Sequence, residues 1–149
     1  MRGWRNDFVR VLAITGWSHS GKTTLIVDVI KHLVARGERV AAIKHTHHEV
    51  NDRNEGDTAR FLAAGASPVI LANDHFVIQW RTGASPVPIF RRTGEGSSPP
   101  LDPRDLLAHV GNADVVLIEG FKSYNGWPRI EAPAALDDAL ALLDRIAAS

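Results

Sequence analysis

The chain has 149 residues, with 17 Lys and Arg against 17 Asp and Glu and a formal net charge of zero. That length suits one ordinary domain spanning 1–149, and 44% of AVILMFWYC residues fits a folded globule rather than a disordered chain. The charge balance gives no electrostatic case for nucleic acid or a membrane surface, and the absence of cysteine excludes disulfides, iron–sulfur clusters, thiolate zinc sites and cysteine nucleophiles.

Asp7 stands where a signal peptide would begin its apolar region, and no apolar run approaches the ~20 residues of a membrane span. A cytoplasmic location is expected. Phe8 to Thr15 (FVRVLAIT) reads as a parallel strand buried on both faces. A Gly-rich turn follows at once. From Thr24, the residues Leu25, Val29, Leu33 and Ile26, Ile30, Val34 fall at helical spacing, with Gly37 as a C-terminal stop. Arg39 to Lys44 (RVAAIK) is a second short strand, which completes a βαβ unit with a right-handed crossover.

His45 to Gly56 is polar and without periodicity, so it reads as a loop. Asp57 to Gly65 (DTARFLAAG) predicts a short helix with Asp57 or Thr58 near its N-cap. Pro68 to Ala72 and His75 to Trp80 predict two strands joined at Asn73-Asp74 as a hairpin. Arg81 to Pro103 holds Pro86, Pro88, Pro99, Pro100 and Pro103 among Gly and Ser, and reads as an irregular excursion. Asp105 to Val110 predicts a modest helix, Asp114 to Glu119 (DVVLIE) a buried strand, and Leu136 to Ile146 a closing amphipathic helix.

The chemistry concentrates at Gly16-Trp17-Ser18-His19-Ser20-Gly21-Lys22-Thr23, a full G-x-x-x-x-G-K-[ST] motif. Such a loop needs glycine because its backbone must turn tightly and let amide N–H groups converge on phosphate oxygens. The following helix N-terminus faces the same anion, Lys22 reaches toward the β- and γ-phosphates, and the Thr23 hydroxyl is a Mg²⁺ ligand. Its place between a strand and a helix separates it from a chance match. Val115 to Ile118 leads into Glu119, an acid at a strand end where P-loop proteins hold Mg²⁺, whereas Asp114 precedes the strand and suits a turn or cap. With these motifs the expected fold is α/β, a P-loop NTPase-like three-layer domain with a mostly parallel sheet flanked by helices.

Three further groups are ambiguous. His45, His47, His48 and Asp52 offer donors that suit zinc or nickel, but their spacing matches no standard ligand pattern, and a polar loop beside the nucleotide is the simpler reading. Arg81, Arg91 and Arg92 are either a clamp for a second phosphorylated ligand or solvated loop charges. Trp17, Trp80 and Trp127 suit packing or interface roles better than base stacking.

Taken together, GWSHSGKTTL at 16–25, IKHTHH at 43–48, the segment Asp52 to Ala66 with GDTARFLAAGA, and DVVLIEGFK at 114–122 followed by Pro128-Arg129-Ile130-Glu131 resemble the molybdopterin-guanine dinucleotide biosynthesis protein B (MobB-type) family. The resemblance runs from about residue 9 to the final helix. It implies a small, dimeric P-loop protein that binds GTP and Mg²⁺. The implied partner is the guanylyltransferase that joins GMP to molybdopterin late in molybdenum cofactor maturation, with molybdopterin itself as a candidate ligand. The family's nucleotide residues carry over to Gly16, Trp17, Ser18, His19, Ser20, Gly21, Lys22, Thr23 and Thr24, with Glu119 near Mg²⁺. Its Lys-His loop carries over to Lys44 and His45, and its Glu-Gly-Phe-Lys segment to Glu119 through Lys122. Asp52 and Asp57 are further candidate ligand contacts.

Where family members commonly carry Gly-Lys-Asp-Ser/Thr, this chain has Glu55-Gly56-Asp57-Thr58, without the lysine. There is no Asn-Lys-x-Asp element, so guanine preference follows from the resemblance alone. No catalytic residue is assigned: no glutamine stands where a water-orienting residue is evident, and slow or partner-dependent GTP hydrolysis is expected. The alternative is a small P-loop kinase that uses ATP on a small-molecule acceptor, with Asp52, Asp57 or His45 as base and the Arg91-Arg92 loop as lid.

Overall fold

The computed structural model describes residues 9–17, 19–47, 56–91, 101–122 and 124–148. Strand β1 (Arg10–Thr15) leads through the Gly-rich turn into helix α1 (Lys22–Ala35), and β2 (Val40–His45) follows. Helix α2 (Gly56–Ala64) precedes β3 (Val69–Ala72), β4 (Phe76–Trp80) and β5 (Val87–Arg91). A 3-10 helix (Pro103–His109), β6 (Val115–Glu119), β7 (Arg129–Glu131) and helix α3 (Leu136–Ala148) complete the order. The seven strands form one sheet in the order β5-β4-β3-β2-β6-β1-β7. β7, β1, β6, β2 and β3 are parallel neighbours, while β4 pairs antiparallel with β3 and β5 with β4. The mostly parallel sheet expected from the βαβ pattern is therefore present, with an antiparallel extension at one side.

Side-chain alternation along the central strands divides the core in two. Leu12, Ile14, Val40, Ala42, Val69, Val115 and Leu117 face α1, α2 and α3, meeting Ile26, Ile30, Phe61 and Leu143. Ala41, Ile43, Ile70, Val116 and Ile118 face the other way, where Leu106 of the 3-10 helix and Val110 cover them. The modest helix expected over Asp105 to Val110 is thus a 3-10 helix that starts two residues earlier, at Pro103. Pro103 sets its first turn, and Asp102 caps it by accepting from the Arg104 amide at 2.9 Å.

Two strands escaped the sequence reading. β5 lies inside the supposed irregular excursion; it is an outermost strand, where Pro88 can stand without costing the sheet a needed donor, and its register with β4 shifts at Val77/Ile78. β7 is three residues long and pairs with β1 at the opposite edge, too short to carry a periodic signal. The Asn73-Asp74 turn does form: Asn73 Oδ1 accepts from the amides of His75 and Phe76, both at 2.8 Å. Among the described residues no helix is long and apolar enough to cross a membrane.

Leu117 lies in β6, between β1 and β2, and is fully buried under the helical layer. Leu117→Ala should lower unfolding free energy by about 2–5 kcal/mol through lost burial and the cavity left behind, read as a shift of the urea midpoint at constant slope.

Candidate functional site

Parallel strands align their C-terminal ends, and the crevice outside them receives the loops that follow β1, β2 and β6. The turn after β1 folds into a cradle. Gly16 has φ +142°, and a Cβ there would stand 2.7 Å from Ser20 Oγ and 2.9 Å from the Ala132 carbonyl, so only glycine fits. Helix α1 begins at Gly21 with no side-chain cap and no acidic residue in its first turn. Its leading amides are free of intrahelical partners, a positive end suited to an anion. The Lys22 ammonium lies back over the loop, donating to the carbonyls of Gly16 (2.8 Å) and Trp17 (2.9 Å). Ser20 Oγ is buried with no hydrogen-bond partner among the described residues. His19 and Gly21 line the cleft with Lys22, Thr23 and Thr24, in a cavity of about 540 Å³ that also reaches Arg60. Trp17 is 70% exposed, so it neither packs in the core nor closes the cradle.

Register places Lys44 of β2 directly beside Glu119 of β6, both on the α1 side of the sheet. Glu119 is only 6% exposed. Lys44 Nζ donates to Glu119 Oε2 at 3.0 Å and also to the Asp57 carboxylate at the start of α2. Thr23 Oγ1 donates to Glu119 Oε1 at 3.2 Å and lies within reach of Asp57 as well, although its one proton serves one acceptor at a time. Burial alone would lower the Lys44 pKa, but the hydrogen bond to Asp57 and the Glu119 charge outweigh it and raise it. Burial alone would raise the Asp57 carboxyl, yet hydrogen bonds from Lys44 and Thr23 and the Lys44 charge hold it below the usual carboxylate range. Thr23, Glu119 and Asp57 are hard oxygen donors, a set that fits Mg²⁺ completed by water and phosphate oxygens.

On the other side of the Lys44–Glu119 pair lies a larger cavity of about 730 Å³. Its wall is the loop after β6. Gly120 has φ +106°, and a Cβ there would lie 2.9 Å from both Cβ and the carbonyl oxygen of His45. Phe121 adopts φ +52°, left-handed for a residue with a side chain, at a cost of about 1–2 kcal/mol. This turn lays the Phe121 ring on His45, centroids 4.1 Å apart and 21° between planes. The ring of His47 meets His45 edge-on at 5.1 Å. Burial pushes the His45 imidazole down despite Asp74 Oδ1 at 3.5 Å from Nε2, so the ring is neutral at pH 7.

The fold therefore brings Thr23, Lys44, Asp57 and Glu119 together, with His45 and Lys122 in the neighbouring cavity. Ser18, His48, Asp52, Glu55 and Arg92 lie outside the described residues, as does the Arg91 side chain. Among the described residues no cluster of three or more His, Cys, Asp or Glu converges on a metal position. Arg81 cannot serve as a ligand clamp: it follows the end of β4 that pairs with the start of β3, on the sheet edge away from the cradle, and Nη2 reaches the His109 carbonyl at 3.4 Å. Asp114 stands at that same far edge, ion-paired with Arg39 at 3.1 Å. Of the candidate kinase bases, Asp57 is tied to Lys44 and His45 is stacked on Phe121. Trp80 is buried in a small cluster with Ile78, Leu71, Phe76 and Leu62 of α2, and Trp127 packs against Tyr124 with centroids 4.4 Å apart. The sequence reading missed how Lys44 acts; the available signal was that Val40, Ala42 and Lys44 share one strand face.

Residues 11–139 match the family described as molybdopterin guanine dinucleotide synthesis protein B, MobB. The chain is 40% identical over 121 residues to the molybdopterin-guanine dinucleotide biosynthesis adapter protein of Haemophilus influenzae, covering 78% of this chain and 60% of that one. It is 33% identical over 117 residues to the protein of the same description in Escherichia coli, covering 76% and 60%. The chain thus spans about 60% of the length of these curated relatives. Among solved structures, the MobB protein homolog from Bacillus stearothermophilus is similar at 26% identity and a TM-score of 0.48, over 89% of this chain and 69% of that one.

The direction of the Asp57 shift fixes a pH dependence. A carboxyl whose folded pKa lies below its ordinary 3.8 contributes stability that is whole above that value and is lost as pH falls through the folded pKa. Asp57→Asn should be less stable than wild type at pH 7, and the two urea midpoints should converge as pH drops below about 4. The raised Lys44 pKa works the other way, contributing below 10.5 and fading as pH climbs through its folded value.

Proposed function

The chain belongs to the molybdopterin guanine dinucleotide synthesis protein B family, and from that footing we propose that it is a nucleotide-binding adapter in molybdopterin guanine dinucleotide biosynthesis. In this reading residues 1–149 act as one nucleotide-binding domain in the cytoplasm, taking GTP and pairing with a second copy. The protein partner is the guanylyltransferase of the pathway. The observation that carries the reading is the cradle itself: a Gly16-to-Thr24 loop between a buried parallel strand and α1, with uncapped amides at the helix start and the Lys22 ammonium lodged on the loop carbonyls. An anion entering there meets the positive helix end and a lysine that exchanges two neutral acceptors for charged ones.

Thr23 and Glu119 would hold Mg²⁺, which when bound offsets charge on the β- and γ-phosphates. Everything else in the pocket is positioning. Asp57 and Lys44 fix the orientation of Glu119 and Thr23 through the hydrogen bonds already described. The two carboxylates of the cradle, Asp57 and Glu119, both accept from Lys44 and so neither stands free to orient water. GTP hydrolysis is accordingly slow unless a partner contributes groups, and the protein serves by presenting nucleotide more than by consuming it.

Equilibrium competition against a fluorescent guanine nucleotide tests this directly. GTP should displace the probe at least about tenfold better than ATP, a difference of about 1.4 kcal/mol. Equal affinity would overturn the guanine assignment and leave the cradle standing. Lys22→Ala should abolish binding, whereas unchanged affinity would remove the loop from the site. In Glu119→Gln the affinity measured with Mg²⁺ should fall more than the affinity measured with EDTA; equal losses would shift the metal role to Asp57.

A further inference from the structure

The larger cavity lies across the Lys44–Glu119 pair from the P-loop cradle, and its chemistry differs from that of the cradle. At about 730 Å³ it is within the size range of small-molecule sites. It adjoins the cradle cavity through a shared wall of Lys22, Lys44 and Glu119, so an occupant would lie against the phosphate end of the P-loop. One part of its lining is flat and aromatic: Phe121 with His45 stacked beneath it, and Tyr124. Leu101 and Pro103 add an apolar flank. The other part is charged: Lys22 and Lys122 contribute ammoniums, the charge of Lys44 is already matched by Glu119 and Asp57, and the Asp74 carboxylate lies on the His45 side at 3.5 Å from its ring. A neutral His45 adds a hydrogen-bonding ring without charge.

The loop conformation is the independent observation. Phe121 sits at φ +52° and Gly120 is pressed against His45, so backbone strain is spent on placing one aromatic ring on the wall of this cavity. Strain of this kind persists where the surroundings over-determine it, and it concentrates at ligand clamps.

We propose that this cavity is a second ligand site, which takes a planar heterocycle carrying a phosphate group and holds it beside the P-loop nucleotide. The ring lies against Phe121 and Tyr124, and the phosphate pairs with Lys122 and Lys22. The proposal rests on the preceding reading only for the nucleotide's place. A pterin phosphate and a second nucleotide both offer this chemistry, and the experiment separates them.

The test uses the intact chain saturated with GTPγS. Neopterin monophosphate, a fluorescent pterin, is titrated with quenching as the readout, and GMP is titrated in a parallel arm by calorimetry. One-site quenching with GTPγS still bound supports the site with a pterin-type occupant; GMP binding under the same conditions supports it with a nucleotide occupant. Phe121→Gly removes the ring while relieving the positive φ, so the fold should survive, GTPγS affinity should hold, and affinity for the second ligand should fall about tenfold. Lys122→Met should weaken the same ligand. Absence of binding by either probe while GTPγS binds overturns the second site and leaves the nucleotide reading intact. Mutual displacement with GTPγS overturns it too, since both then share the cradle. Failure of GTPγS to bind overturns the nucleotide reading instead, and the two probe arms still report on the cavity.

Discussion

The site is organised by one ammonium group between two carboxylates. Lys44 joins β2 to β6 through Glu119 and to α2 through Asp57, and Thr23 at the start of α1 bonds into the same cluster. A half-buried lysine and a nearly buried glutamate would each be costly to desolvate alone. Paired, they fix four elements at the C-terminal edge of the sheet with one set of hydrogen bonds. Asp57 is held charged by this pairing, and the start of α2 is thereby tied to the N-terminal end of α1.

The same pair is also a partition. The P-loop cradle opens on one side of it and the larger aromatic cavity on the other, with Lys22, Lys44 and Glu119 common to both. The two cavities have opposite character: the cradle is made of backbone amides and short polar side chains, the neighbour of rings and exposed ammoniums. That contrast comes from the sheet. Residues of even number along β2 face α1 and odd ones face the 3-10 layer, so Lys44 stands on the wall between the two cavities while its neighbour His45 lines the larger one alone.

Much of this was legible in the residues because the signals are local. The P-loop is a contiguous motif, Leu12 to Ile14 and Val115 to Ile118 are apolar without relief, and α1 shows its buried stripe at helical spacing. The antiparallel hairpin followed from Asn73-Asp74 for the same reason. Where the reading went astray, the determinants were distant. Pro88 argued against a strand, yet β5 forms because β4 offers an open edge whose ladder needs no amide from that proline. β7 is three residues defined by their pairing with the outer side of β1, more than 110 positions earlier in the chain. For Arg81 the residues left a ligand clamp and a solvated charge both open, and the antiparallel direction of β4, which carries it to the far edge, decides against the clamp beside the cradle.

By itself the sequence determined the phosphate loop, the acid at the end of β6, the alternation of strands and helices, and the family. Each depends on residues close together in the chain, where spacing alone dictates which groups meet. Tertiary structure decided the strand order, the assembly of Lys44 with Asp57 and Glu119, and the placement of Phe121 on His45. Those depend on parallel pairing between segments 75 residues apart, as Lys44 and Glu119 are. Such pairing is set by burial of two whole sheet faces at once, which no short stretch of sequence encodes.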